Sequence, residues 1–152
     1  MKWILRLLLI AALATLGYFV AAHFSGGSLP TFGLEIGGEK ATVRANALKF
    51  WEDIKFKDTT SALTFLPNGK NSKVLLNSFL QKTFQCSPEK LDIEEYRIEN
   101  LELDSTGKRA RVKVKIWAHN LSTNKALEPQ VLLFFHFDHI TLGWMLDLSS
   151  SF

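Results

Sequence analysis

The sequence predicts an α+β protein, an N-terminal transmembrane helix followed by three helices packed on a mainly four-stranded antiparallel sheet. Three observations predict it. Residues 7–22 (LLLIAALATLGYFVAA) carry no charge. From Glu39 to Phe84 the apolar residues recur at steps of three and four, and past Pro88 the period changes to two, the repeats of an amphipathic helix and a half-buried strand.

The apolar run follows Lys2 and Arg6, and all fifteen acidic residues lie beyond it. Sixteen helical residues span about 24 Å, short of a hydrocarbon core of about 30 Å, whereas Trp3 to Phe24 reach about 33 Å. Arg6 then snorkels to the cytoplasmic headgroups, and Trp3, Tyr18 and Phe24 lie at interface depth. No Lys or Arg follows Arg6 until Lys40, so the positive-inside rule leaves the N-terminus in the cytoplasm and sends the remainder outside. Residues 1–24 are expected to be an uncleaved signal-anchor. Val20 and Ala22 before His23 also suit a cleaved signal peptide, but Tyr18 and Phe19 place bulk before that site and no helix breaker ends the run. No cysteine lies near position 22, so lipidation there is excluded.

Residues 25–38 hold five glycines and a proline, which is linker chemistry. Leu29, Phe32, Leu34 and Ile36 are too apolar for a wholly solvated tether, so part of it is expected to dock.

Residues 39–152 are expected to form one extracytoplasmic domain. Beyond residue 22 the chain carries sixteen basic and fifteen acidic residues. The high pI therefore reflects the anchor, and a nucleic-acid partner loses support. Cys86 is the only cysteine, so no internal disulfide holds this domain; the twelve Phe and four Trp of the whole chain point to an aromatic core.

In the first of its helices Val43, Ala47, Phe50, Trp51 and Ile54 form one stripe, with Lys40, Arg44, Glu52 and Asp53 off it. Asp58 N-caps a second, carrying Ala62, Leu63, Phe65 and Leu66 and stopped by Pro67-Asn68-Gly69. A third runs from Ser72 toward Phe84 with Leu75, Leu76, Phe79 and Leu80.

Ala110, Val112, Val114, Ile116 and Ala118 alternate with Arg109, Arg111, Lys113, Lys115 and Trp117, which makes a strand with one apolar and one basic face. In the strand before it the apolar parity changes between Tyr96/Ile98 and Leu101/Leu103, so a bulge is expected at Glu99 and Asn100. Pairing Leu103 with Ala110 leaves a 105–108 hairpin loop and sets Glu102 opposite Arg111 and Glu99/Asn100 opposite Lys113. The basic row then reads as cross-strand charge pairing in place of a polyanion site. A third strand, Val131 to about His139, begins apolar on both faces and is expected to be central and covered on both sides. The last, Leu142 to Leu148, alternates Leu142, Trp144, Leu146 and Leu148.

The first-helix pattern Ala47-x-x-Phe50-Trp51-x-x-Ile54-x-x-x-Asp58-x-x-x-Ala62, the Tyr96-x-Ile98 strand, the Ala110 to Ala118 strand and the final Gly143-Trp144 strand resemble the nuclear-transport-factor-2-like superfamily, the cystatin-like cone, in a bacterial membrane-anchored form. The resemblance covers about residues 40 to 149. It implies a curved sheet around a long helix enclosing a conical cavity, in a superfamily of isomerases, dehydratases, scaffolds and transport factors, so fold alone does not choose a function. Catalytic members place an Asp, His or Tyr in the cavity. Weak candidates here are Tyr96, Asp138 and His136, with His139 on the opposite face. Cavity candidates are Phe50, Trp51, Tyr96, Phe135 and Trp144, bulky enough with Phe79 to fill a small cone.

His136-Phe137-Asp138-His139 offers two convergent ligands at most, so no metal site and no cofactor are expected. Pro67-Asn68-Gly69-Lys70 is a turn, not a phosphate loop, and the flanks of Cys86 do not activate its thiol. The expected function is that of a non-catalytic accessory or scaffold subunit in the bacterial cytoplasmic (inner) membrane. Its partners are the lipid bilayer and other membrane subunits, met through an anchor whose Ala11, Ala12, Ala14 and Gly17 permit close helix packing. The alternatives are a periplasmic carrier or sensor of an apolar small molecule and, more weakly, an isomerase or dehydratase.

Overall fold

The computed structural model describes residues 2–25, 29, 37–67, 69 and 71–151. They divide into two compact units, Met1–Thr42 and Val43–Phe152. The linker residues Phe32, Leu34 and Ile36, expected to dock, lie outside the described residues, as do Asn68 and Lys70 of the expected turn.

In the first unit, helix α1 runs over Lys2–Phe24. Its Arg6–Phe24 stretch is long and apolar enough to cross a membrane. Leu13, Leu16 and Val20 stand exposed along it. The one hydroxyl within residues 7–17, Thr15, donates to the Ala11 carbonyl at 2.7 Å, so it makes no demand on solvent.

Helix α2 (Gly38–Lys55) leads into the second unit, where α3 (Thr59–Leu63) and α4 (Ser72–Phe84) follow. Asp58 caps α3 as expected, its carboxylate accepting from the Ser61 N–H at 3.0 Å. The helix is shorter than its apolar pattern, however. Phe65 and Leu66 fall in a turn closed by Leu66 N–H to the Leu63 carbonyl. Left-handed Gln85 (φ 53°) ends α4.

The sheet has five strands among the described residues: β1 (Leu91–Leu103), β2 (Arg109–Asn120), β3 (Lys125–Leu127), β4 (Gln130–Asp138) and β5 (Gly143–Asp147), all pairing antiparallel. The order is β1-β2-β4-β5, with β3 beside the end of β2. Leu103 pairs with Ala110, Leu101 with Val112 and Glu102 with Arg111, and the register shifts between Ile98 and Asn100, as the parity change predicts. A second shift between Ile93 and Glu95 was not foreseen. Nor was β3. Pairing with β2 passes from β3 to β4 across Glu128-Pro129, where Pro129 has no N–H to give and its carbonyl accepts from Ile116 N–H at 3.1 Å.

A single core joins α2, α3 and α4 to one sheet face, with Val43, Phe50, Phe79, Val112, Leu133 and Leu146 among its buried members. On the other face Arg111 meets Glu102 at 2.5 Å and Lys113 meets Glu99 at 3.5 Å, so the basic row is charge-paired across strands. Arg97 and Lys115 lie 5.4 and 5.7 Å from the Trp117 ring.

Three expectations are corrected. Asp53, placed off the helix stripe, is 3% exposed. Leu142, read as the first inward residue of the last strand, is 75% exposed with φ 52°, because the left-handed turn ends before β5 begins. Strand β4 is internal but not covered on both sides: Leu132 and Phe134 on its outer face are only half-buried.

Candidate functional site

Four of the five cavity candidates, Phe50, Trp51, Phe135 and Trp144, are buried in the one core. Phe50, Trp51 and Phe79 have no exposed surface, and Phe135 and Trp144 have almost none. The Phe50 and Trp51 rings stand edge to face at 5.3 Å, and Trp51 meets Phe79 at 6.2 Å and Phe84 at 6.3 Å. Ring separations of this size are those of favourable aromatic pairs. Tyr96, half-buried, packs against this core from β1.

Around Tyr96 lies a charged group that the sequence reading did not assemble. Lys49, Glu52 and Asp53 occupy one flank of α2 at helical spacing. Lys49 Nζ donates to Asp53 Oδ1 at 2.6 Å and lies 3.3 Å from Glu52 Oε2. The hydrogen bond to Asp53 is the chief cause raising the Lys49 ammonium above its ordinary range. Asp53 Oδ2 and Trp51 Nε1, both buried, lack a hydrogen-bond partner among the described residues. Burial first, and the Glu52 carboxylate second, push the Tyr96 phenol up. A phenol raised in this way keeps its proton at neutral pH, so it can donate a hydrogen bond but is a poor base. The signal that could have found this group is Lys49-x-x-x-Asp53, an i,i+4 pair whose acid lies next to the apolar stripe.

His136 and Asp138 belong to the opposite sheet face, opposite Met145 and Gly143 of β5. The structure therefore separates them from Tyr96. Asp138 holds its own turn: its carboxylate accepts from Ile140 N–H at 3.0 Å, Thr141 N–H at 3.3 Å and the Thr141 hydroxyl at 2.8 Å. Those bonds, the Ile140 amide first, hold its pKa below the usual carboxylate range. His139 has left the strand for the turn, where its ring stands 5.4 Å from Phe137. Burial pushes the Cys86 thiol up, which makes it a weaker nucleophile. Among the described residues no three His, Cys, Asp or Glu side chains are placed to hold a metal ion.

The outer face also carries open grooves around Phe134. One of about 480 Å³ is lined by Lys82, Pro129, Leu132, Phe134 and Ser151, and another of about 420 Å³ by Arg109, Phe134, His136 and Asp147. Phe134 and Ser150 line both, and the Phe134 backbone N–H donates to Ser151 Oγ at 3.2 Å. Asp147 is occupied in capping the turn Leu148–Ser150.

The sequence matches no protein-family model and no curated protein. A solved structure to which the chain is similar is the crystal structure of the intermembrane space region of the chloroplast protein ARC6, at 11% identity, with 70% of this chain and 90% of that one covered and a TM-score of 0.40.

Proposed function

We propose that this chain is a single-pass protein of a bacterial cytoplasmic membrane, anchored by α1 with its N-terminus inside, that displays a small nuclear-transport-factor-2-like cone outside and serves as a non-catalytic accessory or scaffold subunit of a membrane complex. The observation that carries the reading is the filled core: Phe50, Trp51, Phe79 and Phe135, among the side chains that would line a cone, are buried in one cluster. The candidate acids and bases support it as well. Asp138 uses its oxygens on a turn, and Tyr96 keeps its proton. With these side chains so engaged, the reading makes the surface and the anchor the working parts.

Two steps of one experiment test this. Membranes carrying the full-length chain are washed with alkaline carbonate, and the retained protein is weighed intact. Retention of a chain that still carries residues 1–22 is the expected result. Release of a chain beginning near His23 contradicts the anchor.

The carrier reading draws on the Phe134 grooves, about 480 and 420 Å³ and each lined in part by that residue. Their openness to solvent and charged rims suit an apolar ligand poorly. Saturable binding of a fluorescent apolar probe, lost on Phe134→Ala, would favour the carrier; titration without saturation favours the subunit.

A further inference from the structure

The outer edges of the sheet are blunted. Along β1 the register shifts twice, between Ile93 and Glu95 and between Ile98 and Asn100, and Lys57 and Lys55 donate to the Leu91 and Glu94 carbonyls. Bulges and lysines on an edge hinder a foreign strand from pairing. On β5 the Leu146 N–H donates to the Phe65 carbonyl at 2.6 Å, and Asn46 Nδ2 reaches the Trp144 carbonyl at 3.5 Å. Strand β3 is three residues long.

One stretch of edge is treated differently. Strand β5 pairs with β4 from Phe134 to Asp138 and goes no further, because the chain bends at Asp147 into the turn Leu148–Ser150. Residues 130–132 of β4 therefore have β2 on one side and no strand on the other. The register gives the direction of their main-chain groups. Phe137 N–H donates to the Lys108 carbonyl at 2.8 Å and Ile116 N–H to the Pro129 carbonyl at 3.1 Å, so odd-numbered residues here turn N–H and C=O toward β2. Even-numbered ones turn away from it, as Phe134 does in donating to Ser151 Oγ at 3.2 Å. Gln130 and Leu132 are even, and their N–H and C=O groups have no hydrogen-bond partner among the described residues. The groove of about 480 Å³ lies along them, lined by Gln130, Val131 and Leu132 of β4, Thr83 of α4, and Ser150 and Ser151.

We infer that this stretch is a docking slot for an extended segment of a partner subunit, added to the sheet as a strand beside β4 with apolar side chains at every second position. The inference rests on the subunit reading above and states how the partner is held. Two donors and two acceptors alternating along about 7 Å of strand match an extended main chain, whereas a single side chain pairs with only part of them. Leu132 and Phe134, half-buried on the outer face, supply apolar cross-strand neighbours, which sets the alternation in the added segment. From Gln130 to Phe134 is about 14 Å, room for about four residues before Ser151, already bonded to the Phe134 N–H, closes the slot. The β1 and β5 edges are guarded and this one is not, the pattern of an edge reserved for pairing.

The test compares deuterium exchange in the full-length chain co-purified with its partners in mild detergent and in the same chain stripped of them. The Gln130 and Leu132 amides should exchange at least tenfold more slowly in the complex, and the 121–124 turn equally in both. Leu132→Pro removes the outward N–H without touching a bond to β2, so it should keep the fold and lose the partner, while Leu132→Ala keeps the N–H and should retain the partner. If the proline variant does not fold, exchange in the native chain decides. Stoichiometric partners with unchanged exchange at 130 and 132 overturn the slot and leave the subunit reading standing. A chain that purifies without partners overturns both. Protection that persists in the stripped chain, or rises with its concentration, gives the edge to the chain itself or to a second copy and overturns the partner strand. Equal loss of the partner in both variants assigns the contact to the leucine side chain and overturns main-chain pairing.

Discussion

Asp138 accepts hydrogen bonds from two amides and a hydroxyl of its own turn, and Asp104 does the same in the preceding hairpin, accepting from Thr106, Lys108 and Arg109. Both carboxyls are held below their ordinary range, Asp138 chiefly by the Ile140 amide and Asp104 chiefly by the Thr106 hydroxyl. The sign follows from linkage. The folded state takes up these protons less readily than the unfolded chain, so the stabilisation is present above the ordinary aspartate value of about 3.9 and is lost as pH falls through the depressed folded values. The contribution of these two carboxylates to thermal melts should therefore be constant from neutrality down to about pH 5 and decline below about pH 4. Asp138→Asn should shrink that fall, and an unchanged acid limb would mean that the turn is not held by its carboxylate. Asp53 poses the opposite problem, since it is buried with one oxygen paired to Lys49 and the other to nothing described. Lys49→Met leaves that carboxylate without its cation and should lower the melting temperature, whereas Lys49→Met with Asp53→Asn should recover most of the loss. Equal loss in single and double variants would show that packing of the lysine stem, not the pair, is what matters.

At the scale of elements, the aromatic packing is densest where α2 meets α4. Trp51 is fully buried and stacked edge to face on Phe50 and Phe84, so Trp51→Ala should cost about 3–5 kcal/mol by denaturant titration, in the range for removing a large core aromatic. A loss below about 1 kcal/mol would mean that the core around it is loose. Much of this layer is legible in the residues. The β1–β2 register, the Glu99 bulge and the charge pairs follow from parity alone, because a one-residue slip would turn every apolar side chain outward. The short strand β3 is not legible. Its three residues have no pattern of their own, and the pairing comes from β2, which is long enough to meet both β3 and β4 across the Pro129 break. Leu142 misleads for a similar reason: its alternation with Trp144 and Leu146 is intact in sequence, but the turn requires a left-handed residue there and carries the side chain to solvent. Asp53 misleads because a charge reads as a surface residue until a partner one helical turn away lets it go inside.

For the whole molecule, the sequence predicts the apolar N-terminal helix more firmly than any chemistry in the domain. The run of residues 7–22 is self-sufficient evidence for an apolar helix, and α1 follows it closely. The site candidates depended on which strand face each residue takes. Strand parity separates Tyr96 from His136 and Asp138 once the registers are known, but the Lys49–Glu52–Asp53 flank around Tyr96 emerges only when α2 is laid on β1. On the function proposed above, an anchored domain with a filled interior works through what it binds. The measurement that tests it most directly is purification of the full-length chain from its native membrane in mild detergent, with mass spectrometry of everything that accompanies it. The account predicts an intact N-terminus and stoichiometric membrane-protein partners. A solitary chain beginning near His23 would contradict it.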